Sequence, residues 1–163
     1  MTASLVEIRI VGLPLDIQQQ AQEHFEGLLR EFSHITASDA EGSHAVPKAL
    51  VDLNDSLQAA FGGLAETQDA DMEAAARRGD ATIDLTYDVP AEVAPAANQL
   101  LELMAEADRY CSEGRYLLSL RSSPAVEAFR RWFLTEFVNQ VAGHPPVSWA
   151  DWSAQHLGRS EPA

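Results

Sequence analysis

The segment SSPAVEAFRRWFLTEFVNQV, residues 122–141, constrains this chain more than any other. Ser123 can cap a helix, and Pro124 fits its first position, where no N–H is needed. Val126, Phe129, Phe133, Phe137 and Val141 follow at spacings of three and four, which puts them on one helical face. A row of phenylalanines must be buried against something large, so the rest of the chain has to supply a sheet and helices to receive it. Phe133 stands at the centre of the apolar arc and is expected to be a core residue whose loss is costly. Arg130 falls inside the same arc. It reads either as a snorkelling or paired arginine, with Glu127 as partner, or as an arginine held for an anionic ligand or a partner's carboxylate. Trp132 falls outside the arc, on the side of Glu136. It reads either as packed under the C-terminal tail, which brings Trp149 and Trp152, or as part of a binding surface with Arg131, since Trp and Arg are enriched at binding hot spots.

The elements that could receive this helix come earlier. In residues 5–11 Val6, Ile8 and Ile10 alternate with Leu5, Glu7 and Arg9, the pattern of a strand with one buried face. Gly12-Leu13-Pro14 is expected to end it, and Asp16, with Gln19 three residues on, to cap the next helix. That helix carries Ile17, Ala21, Phe25, Leu28, Phe32 and Ile35 in register, with His24 at the border of the face. Residues 38–43 read as a loop. Val46, Leu50, Leu53, Leu57 and Phe61 mark a second helix, which Gly62-Gly63 should close as a C-cap. Thr67 can cap a third, acidic at its start (Asp69, Asp71) and basic at its end (Arg77, Arg78), in keeping with the helix dipole. Gly79 should close it.

Residues 82–89 form the cleanest strand, with Ile83, Leu85, Tyr87 and Val89 against Asp84, Thr86 and Asp88. Pro90 ends it. A long helix follows, with Val93, Ala97, Leu100, Met104, Ala107 and Cys111 in register, Pro95 in its first turn and Gly114 as its cap. Residues 116–121 read as a third, weaker strand, parallel to its predecessor if the two pair directly. The fold class expected is therefore α/β: one helix-rich domain over residues 1–163 in the order βαααβαβα. Its small sheet of about three strands should be covered by helices, mainly on one face. Residues 142–163 are expected to form an irregular tail, frayed from Arg159.

The 163 residues suffice for a hydrophobic core without staples, and 46% hydrophobic against 22% charged is a globular balance. The formal net charge of −14 repels nucleic acid and anionic lipid, so neither is expected as a direct partner. Cys111 is the only cysteine, and no stretch has the roughly 20 apolar residues of a membrane span. The N-terminus lacks a basic region ahead of an apolar one, so a cytoplasmic location is expected. Lys48 is the only lysine beside ten arginines, a usage associated with GC-rich genomes.

Motifs for chemistry are sparse. His24, His34 and His44 do not share a helical face and are spaced too widely for zinc, so no metal is expected. Asp69, Asp71 and Glu73 lack the glycine a calcium loop needs, because Ala74 stands there. Asp84 and Asp88 share a strand face, where paired carboxylates could do acid–base work or serve only as solvent-side residues. Cys111 reads as a small core residue rather than a nucleophile. There is no phosphate loop, GxGxxG, GxSxG or HExxH. No cofactor and no catalytic residue are expected.

Several blocks, VEIRIVGLPLDI, AQEHFEGLLREF, GDATIDLTYDVPAEV, EADRYC and SPAVEAFRRWFLTEFVNQVAGHPPVSW, together resemble an uncharacterised family of short actinobacterial proteins. Members of that family are often encoded beside STAS-domain anti-sigma-factor antagonists and ATPase-type anti-sigma kinases. The resemblance spans residues 5–149 and carries no catalytic or ligand residues. TIDLTYDVPAEVAPAANQLL also resembles the first strand and helix of the anti-sigma kinases, but the Glu-x-x-x-Asn helix and DxGxG loop are missing, so ATP binding is not expected. The resemblance implies a non-enzymatic regulator acting by protein–protein contact in a signalling or partner-switching system, with an anti-sigma or STAS-type partner; the candidate binding residues, Arg130, Arg131 and Trp132, come from the helix itself and not from the resemblance. The alternatives are a small-ligand sensor, with a pocket between the aromatic helix and the sheet anchored by Arg130, and an enzyme using Asp84, Asp88 or a histidine.

Overall fold

The computed structural model describes residues 4–38, 45–112 and 123–156. Strand β1 (Leu5–Pro14) leads into helix α1 (Leu15–Ser38), followed by α2 (Ala45–Phe61), a 3-10 turn (Gly62–Ala65), α3 (Glu66–Arg78), β2 (Thr82–Pro90), α4 (Val93–Ser112), α5 (Pro124–Val141) and α6 (Trp149–His156). The strand expected at 116–121, the Gly114 cap, most of the 38–43 loop, the Cys111 side chain, His44 and the tail from Arg159 lie outside what is described. Among the described residues the sheet is two-stranded and antiparallel, β1 against β2, and not about three-stranded.

Strand β1 runs further than its sequence implies, because a bulge carries it past Gly12. Ile10 pairs with Leu85, but Leu13 pairs with Ile83, so β1 spends one residue more than β2 over this step. Gly12 adopts φ +67°, a left-handed conformation that glycine takes without steric cost. Its N–H donates to Asp84 Oδ1 at 2.8 Å. The bulge decides which side chains are buried. Side chains alternate faces along a strand, so Leu13 would point to solvent if Ile8 and Ile10 point inward. The extra residue resets the alternation, and Ile8, Ile10 and Leu13 are all fully buried. Opposite them Leu85, Tyr87 and Val89 face the core, while Asp84, Thr86 and Asp88 are exposed. Asp84 therefore serves the backbone of the bulge.

Helix boundaries follow local chemistry in some places and not in others. Ser123 Oγ accepts from the Val126 N–H at 3.2 Å, and Pro124 opens α5, as its sequence implies. Gly79 ends α3 at φ +83°, and its N–H bonds the carbonyls of Ala75 and Ala76. Pro95 sits in the first turn of α4. By contrast α1 begins at Leu15, so Asp16 lies inside its first turn, and α3 begins with Ala65 as its N-cap, so Thr67 is already helical. Gly62-Gly63 is no left-handed cap; the pair continues into the 3-10 turn. The tail is also not wholly irregular: residues 149–156 form α6 and bury Trp152.

Most of the buried hydrophobic side chains among the described residues fall into two clusters. One joins the inner face of the sheet to α5, α6, Met72 and Ala75 of α3, and Ala97 of α4. The other gathers Leu28 and Phe32 of α1, Leu50 of α2, and Met104 and Ala107 of α4. Helices α1 and α4 contribute to both, and α5 packs against each of them. The aromatic helix thus lies over the sheet and along the seam between the clusters.

Candidate functional site

Helix α5 is buried on more of its circumference than its phenylalanine row predicts. Val126, Phe129 and Phe137 are buried, but Phe133, at the centre of the predicted arc, is only half-buried. The most enclosed side chain is Trp132, with no exposed surface, on the flank expected to be polar. Along that flank Trp132, Glu136 and Gln140 stand one turn apart and form a polar spine. Trp132 Nε1 donates to the Val147 carbonyl at 2.9 Å, and Glu136 Oε1 accepts from the Val147 N–H at 2.8 Å. Gln140 donates to the Arg9 carbonyl at 2.9 Å and accepts from the Arg9 N–H at 2.8 Å. It also donates to Glu136 Oε1 at 3.0 Å. The spine therefore satisfies both backbone groups of one residue in β1 and of one residue in the segment leading to α6. Gln140 occupies the place of a neighbouring strand along the edge of β1.

Trp132 is consequently not part of an exposed binding surface with Arg131. It lies beneath the C-terminal segment, 5.6 Å from Trp149, which in turn stacks on Trp152 at 5.8 Å. Arg131 is exposed, with its guanidinium carbon 5.9 Å from the Trp152 ring centroid, a cation–π arrangement.

Arg130 points the other way, into the seam. Its Nη2 stands 3.3 Å from Asp108 Oδ2 on α4, and the side chains are 11% and 5% exposed. The ion pair shown joins two helices, and Glu127 one turn back adds its charge beside the same guanidinium. Burial lowers the Arg130 pKa, while the charges of Asp108 and Glu127 raise it in opposition. His24 of α1 shares this environment. Burial lowers its pKa below the ordinary 6.5, Asp108 opposes the shift and Arg130 adds to it. The imidazole is therefore mostly neutral at pH 7. Its Nε2 is enclosed and has no hydrogen-bond partner among the described residues.

These groups border a cavity of about 210 Å³ between α1, α4 and α5. Phe25, Met104, Phe129 and Phe133 contribute to its wall, which is apolar except for Gln18, Gln22, His24 and Arg130. A second cavity, of about 250 Å³, lies between α2, α4 and α5, with Leu57, Phe61 and Phe137 in its lining and Asp69 at its border. Both sit where the two buried clusters fail to merge. The sequence held a signal for the first: Asp108 and Arg130 each interrupt an apolar helical face, and opposite charges on two such faces can meet across the interior. It held none for the enclosure of His24 Nε2, which depends on how α1 packs.

Among the described residues no group of three or more His, Cys, Asp or Glu side chains gathers as a metal site, and no helix is long and apolar enough to cross a membrane. In comparisons with known proteins, no family model, curated protein or solved structure matches this chain.

Proposed function

We propose that this protein is a small-ligand-binding regulator whose site is the cavity beside Arg130. One observation carries the reading: an apolar cavity on the seam is lined by His24, whose enclosed Nε2 has no hydrogen-bond partner among the described residues, and by a buried arginine. Ligand sites typically combine an apolar wall with a few placed polar groups. A buried, unsatisfied polar atom costs free energy unless a ligand satisfies it. The fitting ligand is mostly apolar with one hydrogen-bonding head group. For scale, an apolar cavity of about 150 Å³ accepts benzene. Titration of hexanoate into the labelled protein should shift the methyl signals of Met104 and Val126 with a Kd below about 1 mM, a modest −4 kcal/mol. Leu134→Trp, which fills the cavity, should abolish the shifts. Signals that stay unmoved in the folded wild type would remove this reading.

A second reading is regulation by contact with another protein, as the family resemblance implies, with an anti-sigma or STAS-type regulator as partner. Arg131 supports it, being an exposed cation on an otherwise acidic chain, fixed over Trp152. Trp132 has no part in it, since it is inaccessible. Arg131→Ala should leave stability nearly unchanged and weaken capture of such a regulator about tenfold, the scale of one modest hot spot. Unchanged capture would remove Arg131 from any interface.

A further inference from the structure

The two cavities share a wall. Leu100, Phe133 and Leu134 line both, and Phe133 is the aromatic side chain between them. Its half-buried state follows from this place: its ring has aromatic neighbours in Phe129 at 5.8 Å, Phe137 at 5.3 Å and Tyr87 at 6.3 Å, yet borders open space on two sides. A side chain with room on both sides can change rotamer without displacing a packed neighbour. The two ends differ in charge: Arg130 at the first is paired with Asp108, whereas Asp69 at the second has no cation beside it among the described lining residues. The first cavity has Arg130 in its lining and the second has Asp69.

From this we propose that the two cavities form one elongated site for a medium-chain acyl compound, with Phe133 as the movable partition. The inference rests on the ligand-binding reading above. The head group is a hydrogen-bond acceptor, placed at His24 and Arg130, where the guanidinium offsets the charge of Asp108, because a carboxylate at the far end would meet the like charge of Asp69 with no cation among the described lining residues. The chain runs past Phe133 towards Leu57 and Phe61. A single ring or short branched group would fill the first cavity alone and leave the second unused. Only a linear chain exploits both without enlarging either.

The test is a calorimetric series with hexanoate, octanoate, decanoate and dodecanoate on the full chain. Burial of each added methylene should tighten binding about fourfold, and the gain should persist from hexanoate to decanoate. Ala96→Trp changes a half-exposed residue that lines only the second cavity. It should erase the preference for decanoate while hexanoate binds as before. Phe133→Ala, which opens the partition, should raise the ratio of decanoate to hexanoate affinity. It serves as the decisive variant should Ala96→Trp not fold. Hexanoate binding with no further gain for decanoate, or a preference that survives in folded Ala96→Trp, would overturn the elongated site and leave the single-cavity reading standing. A ratio that falls in Phe133→Ala would do the same. Failure of every acid to bind the folded wild type would overturn both readings.

Discussion

Trp132→Ala is expected to lower the free energy of unfolding by about 4–6 kcal/mol, the largest effect of any single truncation in α5. Removal of a fully buried aromatic costs about 3–5 kcal/mol through lost transfer energy and the cavity left behind. Trp132 has no exposed surface and packs against Phe129 at 5.9 Å and Trp149 at 5.6 Å. The indole also donates to the Val147 carbonyl, and leaving a half-buried acceptor unpaired adds about 1 kcal/mol. Phe133→Ala should cost clearly less, about 1–2 kcal/mol, because its ring is half-buried and borders two cavities. Urea titration of both variants checks the order. A smaller loss for Trp132→Ala than for Phe133→Ala would mean that α5 is held by its phenylalanine row and not by the opposite flank.

Glu136→Ala should cost about 2–4 kcal/mol, although it removes a charged side chain from a strongly acidic protein. Glu136 is 2% exposed, and one of its oxygens accepts from both the Val147 N–H and the Gln140 amide. Each buried donor left without an acceptor costs about 1–3 kcal/mol. Glu136→Gln retains an acceptor oxygen and should cost much less. Trp132 and Glu136 hold the two backbone groups of the same residue, so their losses should not add. Once either is gone, the segment before α6 loosens and the other has less to hold. The double variant should therefore fall short of the sum by about 1 kcal/mol or more. Additivity within experimental error would show that the two side chains act independently, and a cost for Glu136→Ala below about 1 kcal/mol would show that water replaces the carboxylate.

Much of the local structure was legible from residue spacing. The cap of α5, the left-handed end of α3, the proline in the first turn of α4 and the inward side chains of β2 all follow from contacts a few residues apart. Such contacts are written directly into order and spacing. The apolar register of α2 was legible for the same reason, with Leu50 and Leu53 buried and Leu57 and Phe61 half-buried. The misplaced boundaries, at Asp16 and Thr67, are cases where a good N-capping residue was present but the helix begins ahead of it; Gly62-Gly63 does follow the last residue of α2, though without a left-handed cap. Propensity at a cap is worth about 1 kcal/mol, and burial of an adjoining residue such as Leu15 can exceed that.

The candidate site was half legible. Arg130 stood out as a charge on an apolar face, and its partner Asp108 stood on another, but their meeting depends on the crossing of α4 and α5. Trp132 was ambiguous between lid and binding surface because a helical wheel shows one helix at a time. The structure decides for the lid, since the chain after Gly143 returns over that flank and offers Val147 to the indole.

The sequence by itself determined most of the described helices and both described strands, which strand faces are apolar, and that one face of residues 124–141 must be buried. Tertiary structure alone decided that β1 pairs with β2 antiparallel, that a bulge at Gly12 turns Leu13 inward, and that Glu136 and Gln140 are interior residues. It also decided that two apolar clusters meet imperfectly and leave cavities beside Phe133. The division has a physical cause. Backbone preference and side-chain periodicity act over a few residues and survive in any context. Pairing, bulge placement and cavities are set by side chains far apart in sequence, such as Gln140 and Arg9, 131 residues apart, whose hydrogen bonds no local pattern encodes.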